Sequence, residues 1–143
     1  MQALALDIGD ARVGVACGST RTGIAMPVCV LPAHEVFSHA PSFRRVVEDH
    51  EPDVLVVGRP LTMQGEPGPQ AQKLTEIGQQ IAQRLGLEVE FVDERLTSSE
   101  AKRILREQGL NEKQMRGKVD SVAASLFLQV WLDVKKNDTM GIA

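Results

Sequence analysis

Short apolar runs separated by turn signals fill the first third of the chain and predict β-strands. Residues Ala3–Ile8 form a continuous apolar run, which is typical of a strand buried on both faces. Arg12–Gly18 and Ile24–Leu31 are further strand candidates, and the intervening "STRTG" is a turn signal. These stretches predict an antiparallel hairpin directly after the first strand, and Pro27 favours an edge position for the third strand because it cannot donate to a ladder.

The remainder of the chain alternates between strand and helix patterns. Two more buried strands are predicted at Asp53–Gly58 and Leu87–Glu94. The 3.6-residue spacing of apolar positions predicts helices at His39–His50, Gln70–Gly86, Thr97–Gly109 and Lys118–Lys136. The resulting order β-β-β-α-β-α-β-α-α describes an α/β fold. We expect a five-stranded mixed sheet, an antiparallel hairpin followed by parallel strands, with helices on both faces.

Length and composition indicate one globular domain, predicted over residues 1–136, with a flexible tail over 137–143. The chain has 143 residues, of which 43% are hydrophobic and 24% charged, as in ordinary soluble domains. No segment approaches the roughly 18 apolar residues of a membrane helix, and the start lacks a basic signal region. We therefore expect a cytoplasmic protein without membrane contact, in which Cys17 and Cys29 are reduced thiols.

Charge is distributed unevenly along the chain. Residues 95–118 carry seven basic and three acidic side chains, a local balance of +4, whereas the chain as a whole has a net charge of −3. The basic residues are Arg95, Lys102, Arg103, Arg106, Lys113, Arg116 and Lys118. Such a region is typical either of a nucleic-acid footprint or of a solvated helix face, and the charge alone does not choose between them.

Candidate chemistry gathers where the predicted parallel strands end, which is where ligands bind in open α/β sheets. Asp7 ends the first strand, and Asp93 and Glu94 end the last one. Because successive strand residues face opposite sides, only one of these two shares a side with Asp7, and alternation does not identify it. Asp120 opens the last helix and is either a third carboxylate of this site or an acid favoured by the helix dipole.

Converging carboxylates repel one another unless cations neutralise them. Oxygen ligands without Cys or His indicate Mg²⁺ or Mn²⁺, and two such ions about 3.5–4 Å apart stabilise both oxygens of a phosphoryl displacement. Gly9 leaves room for a phosphate backbone, and Arg12 and Arg95 are suitable phosphate partners. The pattern therefore predicts metal-dependent chemistry on a phosphodiester.

Four stretches resemble the YqgF/RuvX family of RuvC-like resolvases, which are also described as pre-16S rRNA nucleases. They are "LALDIGDARVGVA", "VVGRPLTMQGEPGPQ", "VEFVDERLTSSEA" and "KVDSVAASLFLQVWL", in the family's order. The resemblance implies an RNase H-like fold and a metal-dependent nuclease. Carried over by position, it implies that the catalytic and metal-binding residues are Asp7, Glu94 and Asp120.

The resemblance also implies roles for residues around the acids. Asp93 becomes a structural partner of a nearby arginine, and the loop Thr62–Pro69 lies at the same edge and is expected to fold over the substrate. Ser19 stands where the family often has an aspartate, and Arg59 stands where it more often has leucine. The expected nucleic-acid-binding residues are Arg12, Arg59, Arg95, Thr97, Lys102, Arg103, Arg106, Arg116 and Lys118.

The expected function is phosphodiester hydrolysis by a two-metal mechanism, with Asp7 bridging both ions and Glu94 and Asp120 each holding one. The first-choice substrate is precursor 16S rRNA, processed at its 5′ end during ribosome biogenesis by a monomer or weak homodimer. One alternative is resolution of four-way DNA junctions, which favours a symmetric dimer; another is a non-catalytic nucleic-acid-binding module. An ATPase of the actin/hexokinase type also opens with D-x-G and a hairpin, but it needs two such domains.

Overall fold

The first three strands form the antiparallel hairpin that the hydrophobic pattern predicts. The computed structural model describes residues 1–60, 65, 66, 68–95 and 97–142, so part of the predicted substrate-covering loop Thr62–Pro69 lies outside it. Strands β1 (Gln2–Ile8), β2 (Arg12–Ser19) and β3 (Ala25–Pro32) pair in sequence. Pro27 lies in β3 at the edge of the sheet, as expected.

Strands β4 (Val54–Arg59) and β5 (Glu88–Asp93) complete a five-stranded mixed sheet. Its order is β3-β2-β1-β4-β5, with β4 parallel to both β1 and β5. The predicted sheet is therefore confirmed. Because β1, β4 and β5 run in one direction, their carboxyl ends lie at the same edge, and this edge carries the candidate acids.

The described residues form six helices beside the sheet, two more than the hydrophobic spacing predicts. They are α1 (Ala33–Phe37), α2 (Pro41–His50), α3 (Pro69–Leu85), α4 (Thr97–Glu107), α5 (Glu112–Arg116) and α6 (Val119–Ile142). The unpredicted helices, α1 and α5, have only five residues each. Helix α6 continues to Ile142, through most of the stretch assigned to a tail; the flexibility of 137–143 stays a prediction. None of the described helices is both long and apolar enough to cross a membrane.

The two faces of the sheet bury side chains of different size. On one face, Leu4 and Leu6 of β1 pack with apolar residues of α1, α2 and α3. On the other face, Ala3 and Ala5 pack with residues of α6, including Phe127. Asp7 has the parity of Ala3 and Ala5, so the alternation of β1 directs it to the face covered by α6.

Helix α6 and the sheet approach each other closely at Gly14 of β2. A Cβ atom at this position would lie 2.0 Å from the Asp120 carbonyl oxygen and 2.7 Å from the Ser121 nitrogen. Gly14 also pairs with Asp7 in the β1–β2 ladder. The absence of a side chain at Gly14 therefore lets the first turn of α6 lie directly beside the strand position that carries Asp7.

We predict that Gly14→Ala destabilises the fold, because the added methyl overlaps backbone that no side-chain rotation can move. The free energy of unfolding should fall by about 1–3 kcal/mol or more, measured by urea unfolding. Gly117→Ala is the matched control, since Gly117 has φ of −85° and no heavy atom within 4 Å of its added Cβ. Equal stability of the Gly14 variant and the wild type would contradict this account of the α6 packing.

Candidate active site

Asp7 and Glu94 are joined by a side-chain hydrogen bond across the end of β4. Leu6 pairs with Val57 in the sheet, so Asp7 follows one position further toward the same edge. The backbone N–H of Glu94 donates to the carbonyl oxygen of Arg59 at 3.1 Å, which holds the chain beside β4 after β5 has ended. The structure thus brings Glu94, the residue that the resemblance implies, to Asp7.

Gly58 makes this contact between two non-adjacent strands possible. A Cβ atom at Gly58 would lie 2.8 Å from Oε2 of Glu94 and 2.6 Å from Cε2 of Phe127. The bare backbone of β4 therefore leaves room for the Glu94 carboxyl to cross toward Asp7. Sequence reasoning missed Gly58; its signal is a glycine at the end of a buried strand, in phase with Val54 and Val56.

Burial raises the pKa of both carboxyl groups. For Glu94, loss of hydration is the largest cause, and the charge of Asp7 and the hydrogen bond to Asp7 add to it, raising the pKa to about 8. Burial also raises the pKa of Asp7, where the hydrogen bond from Glu94 acts in the opposite direction and the charge of Asp120 raises the pKa further. At neutral pH Glu94 therefore keeps its proton and donates it to the Asp7 carboxylate.

Asp120 approaches the same place from α6 and is paired with Arg12. Nε of Arg12 donates to Oδ2 of Asp120 at 2.9 Å, and the two side chains are 57% and 23% exposed. Arg12 opens β2, after a tight turn in which the Gly9 N–H donates to the Arg12 carbonyl at 2.8 Å. The guanidinium thus lies at the solvent side of the acids, where it neutralises one of them.

The donor set suits a hard divalent cation, although the three carboxyls do not meet as one cluster. Across the described part of the chain, no three His, Cys, Asp or Glu side chains form a group able to hold a metal ion. Asp7 and Glu94 are in contact, whereas Asp120 is engaged with Arg12. Carboxylate oxygens alone are the ligands that Mg²⁺ and Mn²⁺ prefer, and a cation there would offset the loss of hydration and the repulsion that raise both pKa values.

Asp93, the last residue of β5, pairs with Arg95. Arg95 donates through Nε to Oδ2 of Asp93 at 2.7 Å, and its backbone N–H donates to Oδ1 at 3.1 Å. This arrangement confirms Asp93 as the structural partner of a nearby arginine. It also fixes the turn that separates β5 from α4, directly after Glu94.

Two further residues singled out in the sequence lie away from the acids. Arg59 donates to Thr75 Oγ1 of α3 at 2.9 Å and lies over the ring of Phe91, on the other face of the sheet. Ser19 pairs with Gln2 at the far end of β1, about 16 Å from Asp7 at 3.3 Å per strand residue. Ser19 therefore does not supply a replacement for a fourth acid at this site, and nucleic-acid contact by Arg59 stays a prediction.

The predicted basic residues form the segment that connects Glu94 to Asp120. Lys102 and Arg106 are exposed on α4, and Lys118 is exposed just before α6. Arg103 is paired with Glu100 and with Glu107, the latter at 2.7 Å. Thr97 and Arg116 are part of α4 and α5, but their side chains lie outside the described residues.

Comparisons with known proteins find a matching family model and curated relatives that cover nearly the whole chain. The family model RuvX, described as Holliday junction resolvase, matches residues 1–134. A curated relative from Acaryochloris marina is 43% identical over 136 residues, covering 94% of both chains. Another from Chloroflexus aggregans is 40% identical over 134 residues, with the same coverage. Both relatives carry the name "Putative pre-16S rRNA nuclease".

Solved structures share the fold at low sequence identity. RuvC from Thermus thermophilus superposes with a TM-score of 0.53 at 15% identity, covering 96% of this chain and 97% of that chain. The Fowlpox virus resolvase, solved with Holliday junction DNA, gives 0.55 at 14% identity, covering 94% and 98%. At these identities the likeness concerns the fold alone, and that fold is the RNase H-like one implied by the sequence resemblance.

The proton shared by Asp7 and Glu94 predicts a pH-dependent stability. Unfolding returns the pKa of Glu94 from about 8 to 4.5. Between these two pH values the folded chain holds a proton that the unfolded chain releases. The stabilisation that Glu94 contributes is therefore complete below pH 4.5 and is lost as the pH rises through about 8. Without divalent cations, the free energy of unfolding should decrease as the pH rises from 4.5 to about 8. Glu94→Gln should flatten this decrease.

Urea unfolding in EDTA at pH 5, 7 and 9 measures this difference. Glu88→Gln is the matched control, because Glu88 is an exposed carboxylate at the start of β5, the strand that precedes Glu94. This control should keep the wild-type dependence on pH. Parallel curves for wild type and Glu94→Gln would show that the pKa of Glu94 is not raised.

Proposed function

Since this chain belongs to the RuvX family, whose curated relatives carry the name "Putative pre-16S rRNA nuclease", we propose that it is a divalent-metal-dependent nuclease that processes the 5′ end of precursor 16S rRNA. The observation that carries the proposal is the contact between Asp7 and Glu94, with Asp120 beside them, at the carboxyl end of the sheet. Partly buried carboxyls that repel one another favour a bound cation. Apolar packing gives no reason for acidic residues at the carboxyl end of the sheet.

We assign Asp7, Glu94 and Asp120 as the residues that hold one or two Mg²⁺ or Mn²⁺ ions. Bound there, such ions supply charge stabilisation to the reacting phosphate and lower the pKa of water. To serve as a ligand beside Asp7, Glu94 would give up to solvent the proton that it shares with Asp7. Asp7 is central in this arrangement, because it contacts Glu94 and because the charge of Asp120 raises its pKa.

Arg12 has two tasks in this mechanism. Its Nε donor orients Asp120, and the terminal amino groups of the same guanidinium provide donors that match phosphate oxygens. The tight turn at Gly9 keeps bulky side chains away from the path of a phosphate backbone. Arg12 would therefore stabilise the negative charge that develops on the phosphate during cleavage.

The segment 95–118 would hold the nucleic-acid backbone. It begins one residue after Glu94 and ends two residues before Asp120, so both of its ends are fixed at the acids. Its net positive charge lies beside the site in a chain of negative net charge. We include Arg95, Thr97, Lys102, Arg103, Arg106, Arg116 and Lys118 in this surface, with Arg59 as a separate contact on the other face.

Precursor rRNA is the favoured substrate, and a four-way DNA junction is the second candidate. The relatives that share about two fifths of their residues with this chain carry the rRNA name. The junction resolvases among solved structures support the fold only. The family description nevertheless names junction resolution, so both substrates belong in the test. A protein active in the cytoplasm as a monomer or weak homodimer fits the rRNA role.

Asp7→Asn should abolish metal-dependent cleavage, because it removes the charge of the central ligand. We expect a loss of roughly 10³-fold or more, equivalent to several kcal/mol of transition-state stabilisation. The assay uses a labelled RNA with the 16S precursor 5′ extension and a four-way DNA junction, each with Mg²⁺, Mn²⁺ or EDTA. Asp133→Asn is the control, since Asp133 is an exposed carboxylate of α6 that accepts from Gln129.

The outcomes separate the candidate functions. Cleavage of the RNA that requires metal and Asp7 supports the proposal. Paired cuts in the junction alone would replace it with resolvase activity. Tight binding of either substrate without cleavage would leave a nucleic-acid-binding module and overturn the nuclease assignment for this chain.

The salt dependence of binding should distinguish two neighbouring cations of α4. Lys102→Gln should reduce the slope of log affinity against log salt by roughly 0.7–0.9, the effect of one lost phosphate contact. Arg103→Gln should change the slope less, because Glu100 and Glu107 already neutralise Arg103 and raise its pKa. Fluorescence anisotropy with labelled RNA at several salt concentrations measures both slopes. An unchanged slope in Lys102→Gln would remove α4 from the binding surface.

A further inference from the structure

A cavity of about 670 Å³ lies beside the β1–β2 turn, on the face of the sheet opposite the acids. Gly9 and Asp10 of that turn form one wall, and residues of α3 form another. Asp7 is only two residues before Gly9, so the cavity and the acids lie close to the same turn, on opposite faces of the sheet. The volume is within the range of small-molecule sites, and the proposed mechanism leaves this cavity unused.

The lining combines flat apolar walls with charged groups. Phe37, Leu74 and Ile77 provide the apolar surface, and Asp10 and Lys73 provide charges of opposite sign. A nucleotide has the matching parts, because its base is planar and apolar on its faces, its edge carries N–H donors, and its phosphate is an anion. The carboxylate suits the donors of a base edge, and the ammonium suits a phosphate.

Phe37 is an unusually placed aromatic residue. It ends α1, whose Ala33 and Val36 are only 3% and 2% exposed, yet Phe37 itself is 41% exposed. It lines this cavity and also a smaller one of about 260 Å³. Nη1 of Arg84 donates to the Phe37 carbonyl oxygen at 2.8 Å, which fixes the backbone that carries the ring.

We propose that this cavity is a subsite for an unpaired nucleobase of the nucleic-acid substrate, stacked on Phe37 next to the phosphate that is cut. The inference rests on the proposed nuclease function and deepens it by naming the substrate class. A base inside a duplex is stacked on its neighbours and cannot enter such a cavity. The substrate must therefore offer a single-stranded or extruded nucleotide beside the scissile phosphate, which crosses the β1–β2 turn at Gly9.

Binding of two RNA strands tests the subsite. One is a fluorescently labelled single strand, and the other is the same strand with abasic sites in place of its bases. Anisotropy is measured with Ca²⁺ in place of Mg²⁺, and strand length is checked on a gel after each titration. Phe37→Ala should weaken binding of the intact strand by about five- to 150-fold, the range for losing one stacked base, and should leave the abasic strand unchanged.

Three comparisons complete the design. Phe37→Leu keeps apolar volume and should fall between wild type and Phe37→Ala, which separates stacking from a fold defect. Lys73→Gln should weaken both strands alike, because it removes a phosphate contact. Met26→Ala is the matched control, since Met26 is a large apolar side chain that is 60% exposed on the far edge strand; it should bind both strands as the wild type does.

The experiment distinguishes an error in the subsite proposal from an error in the proposed nuclease function. If the wild type binds and cuts RNA while Phe37→Ala binds the intact strand equally well, the subsite is wrong and the nuclease stands. An equal loss on intact and abasic strands would also overturn the subsite, because it would show a role without a base. If the wild type binds neither RNA nor a four-way junction, the nuclease function fails and the subsite fails with it.

Discussion

The repulsion between two partly buried carboxyl groups, Asp7 and Glu94, is the interaction to which the rest of this structure is adapted. Water would normally separate such charges, but their strands end at the same edge of the sheet and the residues between them are small. A shared proton relieves the repulsion within the pair, and the guanidinium of Arg12 neutralises the neighbouring Asp120. The proton and the guanidinium each carry a single positive charge, and a divalent cation would neutralise the excess of negative charge better.

The geometry of this edge depends on two glycines, which have no side chain. Gly14 lets the first turn of α6 reach the sheet, and Gly58 lets Glu94 reach across β4. Alanines of β1 pack against α6 on the same face, whereas the opposite face carries leucines that pack against α2 and α3. The acids are thus brought together by removing volume on one side of a single sheet.

Much of the fold could be predicted because long segments with a clear hydrophobic period bury one face. All five strands and the four longer helices were predictable on this basis. Helices α1 and α5 were not, since five residues hold too little periodicity, although the capping box of Asn111 and Gln114 was readable in the sequence. Alternation could not choose Glu94 over Asp93, because both sides of β5 are occupied; only the resemblance did. Arg59 illustrates the same limit: its parity matches Leu55 and Val57, but which helix covers that side is decided by tertiary packing.

The position of Asp120 on the last helix has a consequence for how the protein is made. Chains emerge from the ribosome amino terminus first, so the sheet that carries Asp7 and Glu94 is complete in sequence while α6 is still being synthesised. The close approach of helix and sheet at Gly14 joins residues more than a hundred positions apart, and such distant contacts form late in folding. A nascent or carboxy-terminally truncated chain therefore has two of the acids without the third. The complete acidic set comes into existence only as one of the final events in the protein's own biogenesis.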